Sequence, residues 1–266
     1  MLNPAAENNN AGLDLSVRVS AYSSVNGWQQ GVYSVNRTDE TIFSRDPDAA
    51  GKEDGPYASL QLGVSVSSEL DSRTFATAEL DMKANDSNDC VADGDCDAAS
   101  IGASQLIRYG RMRIQSAHGP ETEDLAIPFV TEYWNGSAFV THLDDSCSQH
   151  PLSSIRFDGI AIGPAVADRT VTVGDGSTVG SLNVSGTNAA VSTGDYGLVF
   201  SAPGAAASGS DNTGYFPVSV INIDDWLRYD WDQDGAANDA SLPDAIVTFG
   251  RARGNDRMIF WQERYQ

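Results

Sequence analysis

The sequence predicts an all-β fold: antiparallel β-sandwich modules, Ig-like or jelly-roll-like, two in tandem, with few or no helices. Three observations carry that expectation. Short runs of alternating apolar and polar residues recur along the 266-residue chain, and a period of two is the mark of a half-buried strand. Turn-forming clusters separate them, as in Arg45-Asp-Pro-Asp48 and Glu53-Asp-Gly-Pro56. Helical periodicity is confined to two short stretches, near residues 223–227 and 242–246. Many short strands with turns between them and no amphipathic helix read as a sandwich.

In chain order, residues 1–12 are polar and Asn-rich and read as a flexible segment. Residues 13–83 form the first module. In its first strand Leu13, Leu15, Val17 and Val19 share one face, against Asp14, Ser16, Arg18 and Ser20. Further strands follow at 28–35, at 57–66 with Leu60, Leu62, Val64 and Val66 inward, and at 75–83. Residues 84–104 lose nearly all large apolar side chains and read as an acidic linker or stapled loop. The second module runs from 105 to 266. It opens with a strand at 105–115 that carries Arg108, Arg111 and Arg113, either a strip for a carboxylate or sulfate or partners for nearby acids. Next comes Ile127–Thr141, where Asn135-Gly136 marks a hairpin and Trp134 and Phe139 flank its turn. Later strands are expected at 154–162, 170–173, 178–184, 196–202, 215–223, 245–249 and 257–263, with a flexible loop between Phe200 and Gly214. Trp226-Leu227 reads as an apolar plug for the sandwich.

The formal net charge is −21, with 37 acidic residues against 16 Lys and Arg, and Asp far outnumbers Glu. Such a surface repels nucleic acid and anionic lipid. No apolar run is long enough to span a bilayer, so membrane insertion of this chain is not expected. Of the three cysteines, Cys90 and Cys96 lie in a loop-like stretch and read as a local disulfide, which needs an oxidising compartment. Cys147 is left over, either free and buried or paired outside the chain. The acids around the pair (Asp86, Asp89, Asp93, Asp95, Asp97) form a second cation candidate, or a solvated loop. Met1–Asn10 lacks a basic and an apolar signal region. With the cysteines, this points to an exported protein whose signal lies further upstream in a longer parent.

The sharpest motif is Asp230-Trp-Asp232-Gln-Asp234-Gly235. Carboxylates at positions 1, 3 and 5 with glycine at 6 are the first half of a Ca²⁺ loop, whose cation takes six to eight oxygens. The second half departs from the EF-hand: Ser241 stands where a bidentate glutamate is needed, and Asn238 falls at position 9. The reading is a structural Ca²⁺ loop between β elements, held by Asp230, Asp232, Asp234 and Asn238. The plain alternative is an Asp/Gly turn.

No nucleophile elbow, P-loop or dinucleotide fingerprint occurs, and His118, His142 and His150 form no metal pair. The three read as surface or turn residues. No catalytic residues are assigned. A glycosidase needs two facing carboxylates, and nothing singles out a pair. Trp28, Trp134 and Trp231 are candidate ligand-facing aromatics for a carbohydrate-binding module.

Three segments together carry a family resemblance: Arg108-Tyr-Gly-Arg-Met-Arg-Ile114; Glu132-Tyr-Trp-Asn-Gly-Ser-Ala-Phe-Val140 with Asp144-Asp-Ser-Cys147; and a tail with Tyr229-Asp-Trp-Asp232, Thr248-Phe-Gly250, Gly254-Asn-Asp-Arg257 and Ile259-Phe-Trp-Gln-Glu-Arg264. This resembles the C-terminal region of MshQ-type proteins, encoded with mannose-sensitive haemagglutinin (MSHA) type IV pilus genes, a region of unknown function. The resemblance implies a non-enzymatic, extracellular or cell-surface module, acting in adhesion or pilus assembly. Its expected partners are pilus subunits or surface glycans and the upstream region of its own parent. It also implies that the partner of Cys147 lies upstream. A carbohydrate-binding sandwich is the second expectation and a secreted glycoside hydrolase the third.

Overall fold

The structure, a computed structural model, describes residues 2–8, 15–20, 28–29, 32–33, 43–44, 53–66, 80–83, 89–231 and 242–250. The chain divides into two compact units. The first comprises Met1–Tyr109 together with Trp134–Ala138; the second takes Gly110–Tyr133 and the described residues from Phe139 onward. Both are built of β-strands in sheets that are antiparallel except for one parallel pair, Ala117–Gly119 with Asp244–Phe249, and one short α-helix occurs among the described residues. No described helix is long and apolar enough to cross a membrane.

In the first unit the strands are β1 (Leu2–Asn8), β2 (Trp28–Gln29), β3 (Val32–Tyr33), β4 (Tyr57–Val66) and β5 (Ala98–Ile107). The order β1-β4-β5 makes one antiparallel sheet, and β2 and β3 form a hairpin. Residues 2–8, expected to be flexible, instead pair with β4 along their whole length, from Leu2↔Val66 to Asn8↔Leu60. Their small Ala5 and Ala6 are buried, and the Ala6 N–H donates to Ser16 Oγ. The alternating run that predicts a strand from residue 13 forms a 3₁₀ turn at Ser16–Arg18, leaving Val17 85 % exposed. Arg18 is buried in its place. The guanidinium pairs with Asp54, donates to Ser44 O and Tyr57 Oη, and lies 4.3 Å from the Phe43 ring centre. A buried cation so fully engaged outweighs one outward valine. Tyr57 donates to Asp54 in turn, and burial followed by that bond pushes its hydroxyl up to about 12.

Alternation also fails in β4, where bulges between Tyr57 and Leu60 and between Leu60 and Leu62 shift the register. Leu60 is buried, Leu62 and Val64 are only half-buried, and Gly63 takes an inward position. A Cβ on Gly63 would stand 2.3 Å from Met82 Sδ. The stretch 84–104 is not a pure linker. Cys90 and Cys96 are disulfide-bonded across a one-turn helix, α1 (Cys90–Asp93), and from Ala98 the chain is β5. The strand expected at 105–115 is broken at Arg108-Tyr109, so the division between the units falls there, beyond the acidic stretch.

The second unit holds β6 (Gly110–Ile114), β7 (Ala117–Gly119), β8 (Leu125–Ala126), β9 (Phe129–Trp134), β10 (Phe139–Thr141), β11 (Gln149–Pro151) and β12 (Ile155–Phe157). It continues with β13 (Ile160–Ala161), β14 (Thr170–Val173), β15 (Gly176–Ser181), β16 (Val184–Ser185), β17 (Asn188–Ala190), β18 (Val199–Phe200), β19 (Gly214–Val220) and β20 (Asp244–Phe249). A five-stranded sheet, β13-β12-β19-β20-β7, and a four-stranded one, β14-β15-β18-β8, supply most of its core. Phe157 and Phe216 from the first sheet meet Phe200 of the second edge-to-face, at 4.8 and 5.0 Å. Gly180 is required beneath them, since a Cβ there would lie 2.3 Å from the Phe157 ring. The strand expected over 154–162 is two strands, β12 and β13, turning at Asp158-Gly159 with φ of 51° and 77°. Those positive angles are the two-residue hairpin geometry that Asp-Gly favours. The short helix expected near 242–246 is the start of β20; the one near 223–227 is a 3₁₀ turn, Asp225–Leu227. Its Leu227 enters the core, whereas Trp226 is exposed. Residues 257–263 lie outside the described residues.

Tyr196 is fully buried and stacks on Phe129 at 4.2 Å, with burial holding its hydroxyl well above the usual range. Its Oη has no hydrogen-bond partner among the described residues. Removing an uncompensated buried hydroxyl while keeping the ring is favourable. Tyr196→Phe is expected to raise unfolding stability by about 1 kcal/mol, read as a higher urea midpoint at unchanged slope. A lower midpoint would show that the hydroxyl is satisfied in solution.

Candidate functional site

β6 and β9 pair with Arg111 opposite Glu132 and Arg113 opposite Val130. Arg111 and Arg113 are two residues apart, so they project from the same face of β6. The Glu132 carboxylate receives both: Arg111 Nε donates to Oε2 at 2.7 Å and Arg113 Nη1 to Oε1 at 2.7 Å. Glu132 is 4 % exposed. Two of the strip's three arginines, Arg111 and Arg113, thus serve this acid, in line with the second of the two readings of its sequence.

Arg111 also sits in an aromatic cage. Its guanidinium carbon lies 3.7 Å from the Phe139 ring centre, 4.7 Å from Tyr229 and 4.9 Å from Trp231. Phe139 meets Tyr229, and Tyr229 meets Trp231, edge-to-face at 5.2 and 5.1 Å. A cation over aromatic faces is stabilised by their quadrupoles, more so when water is excluded. The chain reaches the cage from the Asp225–Leu227 turn, which packs so close to β6 that a Cβ on Gly110 would lie 3.3 Å from Trp226 O. Arg228 Nε donates to Ile223 O at 2.9 Å and fixes the exit. Asp230, between the two caged aromatics, is 5 % exposed. The first residue of the acidic run is thus clamped in the second unit.

Asp232, Asp234 and Asn238 lie outside the described residues. Among the described residues no group of three His, Cys, Asp or Glu gathers as a metal set. In the stretch around the disulfide, Asp86 lies outside the described residues, Asp89 caps α1 by accepting from the Val91 and Ala92 N–H groups, and Asp95 pairs with Lys83. Of the aromatics, Trp231 faces Arg111 and Tyr229, and Trp134 is half-buried. Trp28 lies in β2, its side chain outside the described residues.

The Asp144-Asp145-Ser146-Cys147 segment is a turn built around Asp145. Its carboxylate accepts from Thr131 Oγ1 at 2.9 Å and from the N–H groups of Cys147 and Ser148 at 3.2 and 3.0 Å. Burial opposes the charge, but the bonds from Ser148, Thr131 and Cys147 prevail and hold the acid below its usual range. Cys147 is exposed rather than buried, and carries no disulfide. His150 is 1 % exposed, against the expectation of a surface residue. Its Nε2 lies 3.1 Å from Ile221 O, so that nitrogen carries the proton, because a carbonyl only accepts. Burial lowers its pKa, opposed by the Ile221 carbonyl and the Asp224 charge.

The family model for the fourth domain of DUF6701 matches residues 108–264. Its start falls close to the break between β5 and β6. No curated protein and no solved structure matches the chain.

Two expectations follow from these bonds. Glu132→Gln leaves Arg111 and Arg113 without their counter-charge; with both arginines partly reached by water, the loss is expected to be about 2 kcal/mol. Chemical denaturation reads it, and an unchanged midpoint would mean the two arginines are repaired by solvent. The second concerns pH. The unfolded histidine takes its proton near 6.5, the native His150 only at lower pH. Between those values the unfolded state binds more protons, so this contribution is full above about 6.5 and is lost as pH falls. Thermal midpoints between pH 7 and 5 should fall more steeply in the wild type than in His150→Gln, which keeps a donor but does not titrate. Parallel curves would remove His150 from the pH response.

Proposed function

This chain belongs to the DUF6701 family, and from that premise we propose that it is a non-enzymatic, extracellular module of a type IV pilus-associated protein of the MshQ type. It acts in adhesion or pilus assembly at the cell surface, as the C-terminal part of a longer parent. A structural Ca²⁺ is held by Asp230, Asp232, Asp234 and Asn238.

The observation that carries the metal reading is the clamp on the loop's entry. Tyr229 and Trp231 are fixed against Arg111, and Asp230 is buried between them. The donor set is all oxygen, which suits a hard cation. A preformed first ligand lowers the ordering cost of closing the rest of the loop. The non-catalytic reading is supported by what the singled-out groups do: Glu132, Asp145 and His150 are each engaged in holding the second unit together. The disulfide supports export, since such bonds persist in oxidising compartments.

A Ca²⁺ that binds only the native state stabilises it by mass action, about 2.7 kcal/mol at a hundredfold excess over Kd. Thermal unfolding in millimolar Ca²⁺ and in EDTA should separate the wild-type midpoints and leave Asp232→Ala unmoved between the two. Coincident wild-type curves would reduce the motif to a turn. For the biological role, piliated cells whose parent protein lacks this chain should attach to surfaces several-fold less well or carry fewer pili. Normal piliation with normal attachment would overturn the pilus reading.

A further inference from the structure

The five-stranded sheet of the second unit has an outer face that breaks the usual pattern. Along β19, Phe216, Val218 and Val220 are buried, which turns Tyr215, Pro217 and Ser219 outward. Along β20, Ala245, Val247 and Phe249 are buried, which turns Asp244, Ile246 and Thr248 outward. Outward positions of an antiparallel sheet are ordinarily polar. Here the central strand instead displays Tyr215, 75 % exposed, with Pro217 exposed beside it and Ile246, 38 % exposed, directly opposite Pro217.

The register builds a row across this face. Tyr215 pairs with Thr248 on β20, and Thr248 pairs with His118 on β7. Paired residues share a face, so an aromatic ring, a hydroxyl and an exposed imidazole stand side by side over two strand spacings, about 10 Å. No hydrogen bond involves the Tyr215 hydroxyl among the described residues. Tyr215, Pro217, Ile246 and Thr248 bring no carboxylate, Lys or Arg to this face, in a chain with 20 % charged residues and a net charge of −21. Charge borders it: Asp158 donates its N–H to Pro217 O, the Glu121 carboxylate lies beside Gly250, and Asp244 and Arg156 stand at the far end in the row Arg156–Ser219–Asp244.

We infer that this outer face is a binding platform for neutral saccharides, with Tyr215 stacking on a sugar ring and Thr248 and His118 hydrogen-bonding its hydroxyls. A saccharide suits the row because it offers apolar C–H faces and hydroxyl edges together. An anionic glycan is disfavoured by the chain's charge. A cation finds no carboxylate at the row itself. The inference deepens the adhesion reading by assigning its ligand class and makes no use of the acidic loop. The sequence does not mark this row, because Tyr215 is one aromatic among many and its row-mates come from strands 33 and 97 residues away.

The test is a printed array of neutral, sialylated and sulfated glycans, probed with the labelled chain in Ca²⁺ and in EDTA. The wild type should bind a subset of the neutral glycans. Tyr215→Ala should lose about tenfold in affinity, the equivalent of one stacking contact. Tyr215→Trp should retain binding and Thr248→Val weaken it. Val184→Ser, at an exposed apolar position on another sheet, should bind like the wild type, and circular dichroism melts certify each variant as folded. Binding that survives EDTA and falls in Tyr215→Ala sustains the platform whether or not the loop holds a metal. Binding untouched by Tyr215→Ala, binding only to charged glycans, or no binding at all would overturn it, and none of these bears on the calcium result.

Discussion

The second unit depends on satisfying one buried acid. A carboxylate removed from water carries a cost of several kcal/mol unless it is paired and hydrogen-bonded. Glu132 meets that demand with two arginines from one strand, Arg111 and Arg113, each at 2.7 Å. The demand propagates. Arg111 spends one side of its guanidinium on Glu132 and gives its flat face to Phe139, Tyr229 and Trp231. A residue near the start of the unit thereby determines where a segment more than a hundred residues later must run. The entry of the acidic loop is fixed where its own Tyr229 and Trp231 meet an arginine that an ion pair holds on β6 and β9.

This explains which features could be read from the chain and which could not. β19 and β20 were legible because one face of each packs on the core, so the period of two survives intact. The Asn135-Gly136 turn was legible because its signal is local: Gly136 takes φ 98°, and Asn135 Oδ1 accepts from the Ser137 and Ala138 N–H groups. The Cys90–Cys96 bond was legible for the same reason. The failures have a common cause in long-range partners. Arg18 looked outward by period, but Asp54 and the Phe43 ring, far along the chain, make its burial favourable. Residues 2–8 looked mobile by composition, but small side chains are what a strand packed on β4 needs. The Asp158-Gly159 turn is the exception: its signal is local, but the apolar residues on either side of it read as one run.

The same logic governs the site. Arg111 and Arg113 on one strand advertise electrostatics, yet their sequence is silent on whether the partner is a ligand or the protein's own glutamate. The β6–β9 register decides it, and register is a property of two strands. The cage was invisible for the reason that Phe139 and Tyr229 carry no motif until Arg111 is placed between them. What sequence marks well is chemistry arranged in a short span; what it marks poorly is chemistry assembled across sheets.

The surplus of Asp over Glu has a structural part that bears on the acidic loop. A short carboxylate reaches the backbone N–H groups two and three residues ahead, where the longer Glu fits less well. Asp89 caps α1 in this way, Asp145 holds the Cys147 and Ser148 N–H groups, Asp195 holds Gly197, and Asp211 holds Thr213. In each of these turns one carboxylate oxygen accepts from the backbone ahead of it, although other acids stand near in sequence, Asp93 after Asp89 and Asp144 before Asp145. Asp230, Asp232 and Asp234 are arranged otherwise. In the sequence these three acids alternate over five residues, more acid than capping one turn requires, and like charges so near in the chain repel at a cost. A cation offsets that cost, and a cap does not. That offset is the physical argument behind the calcium proposed at residues 230–239.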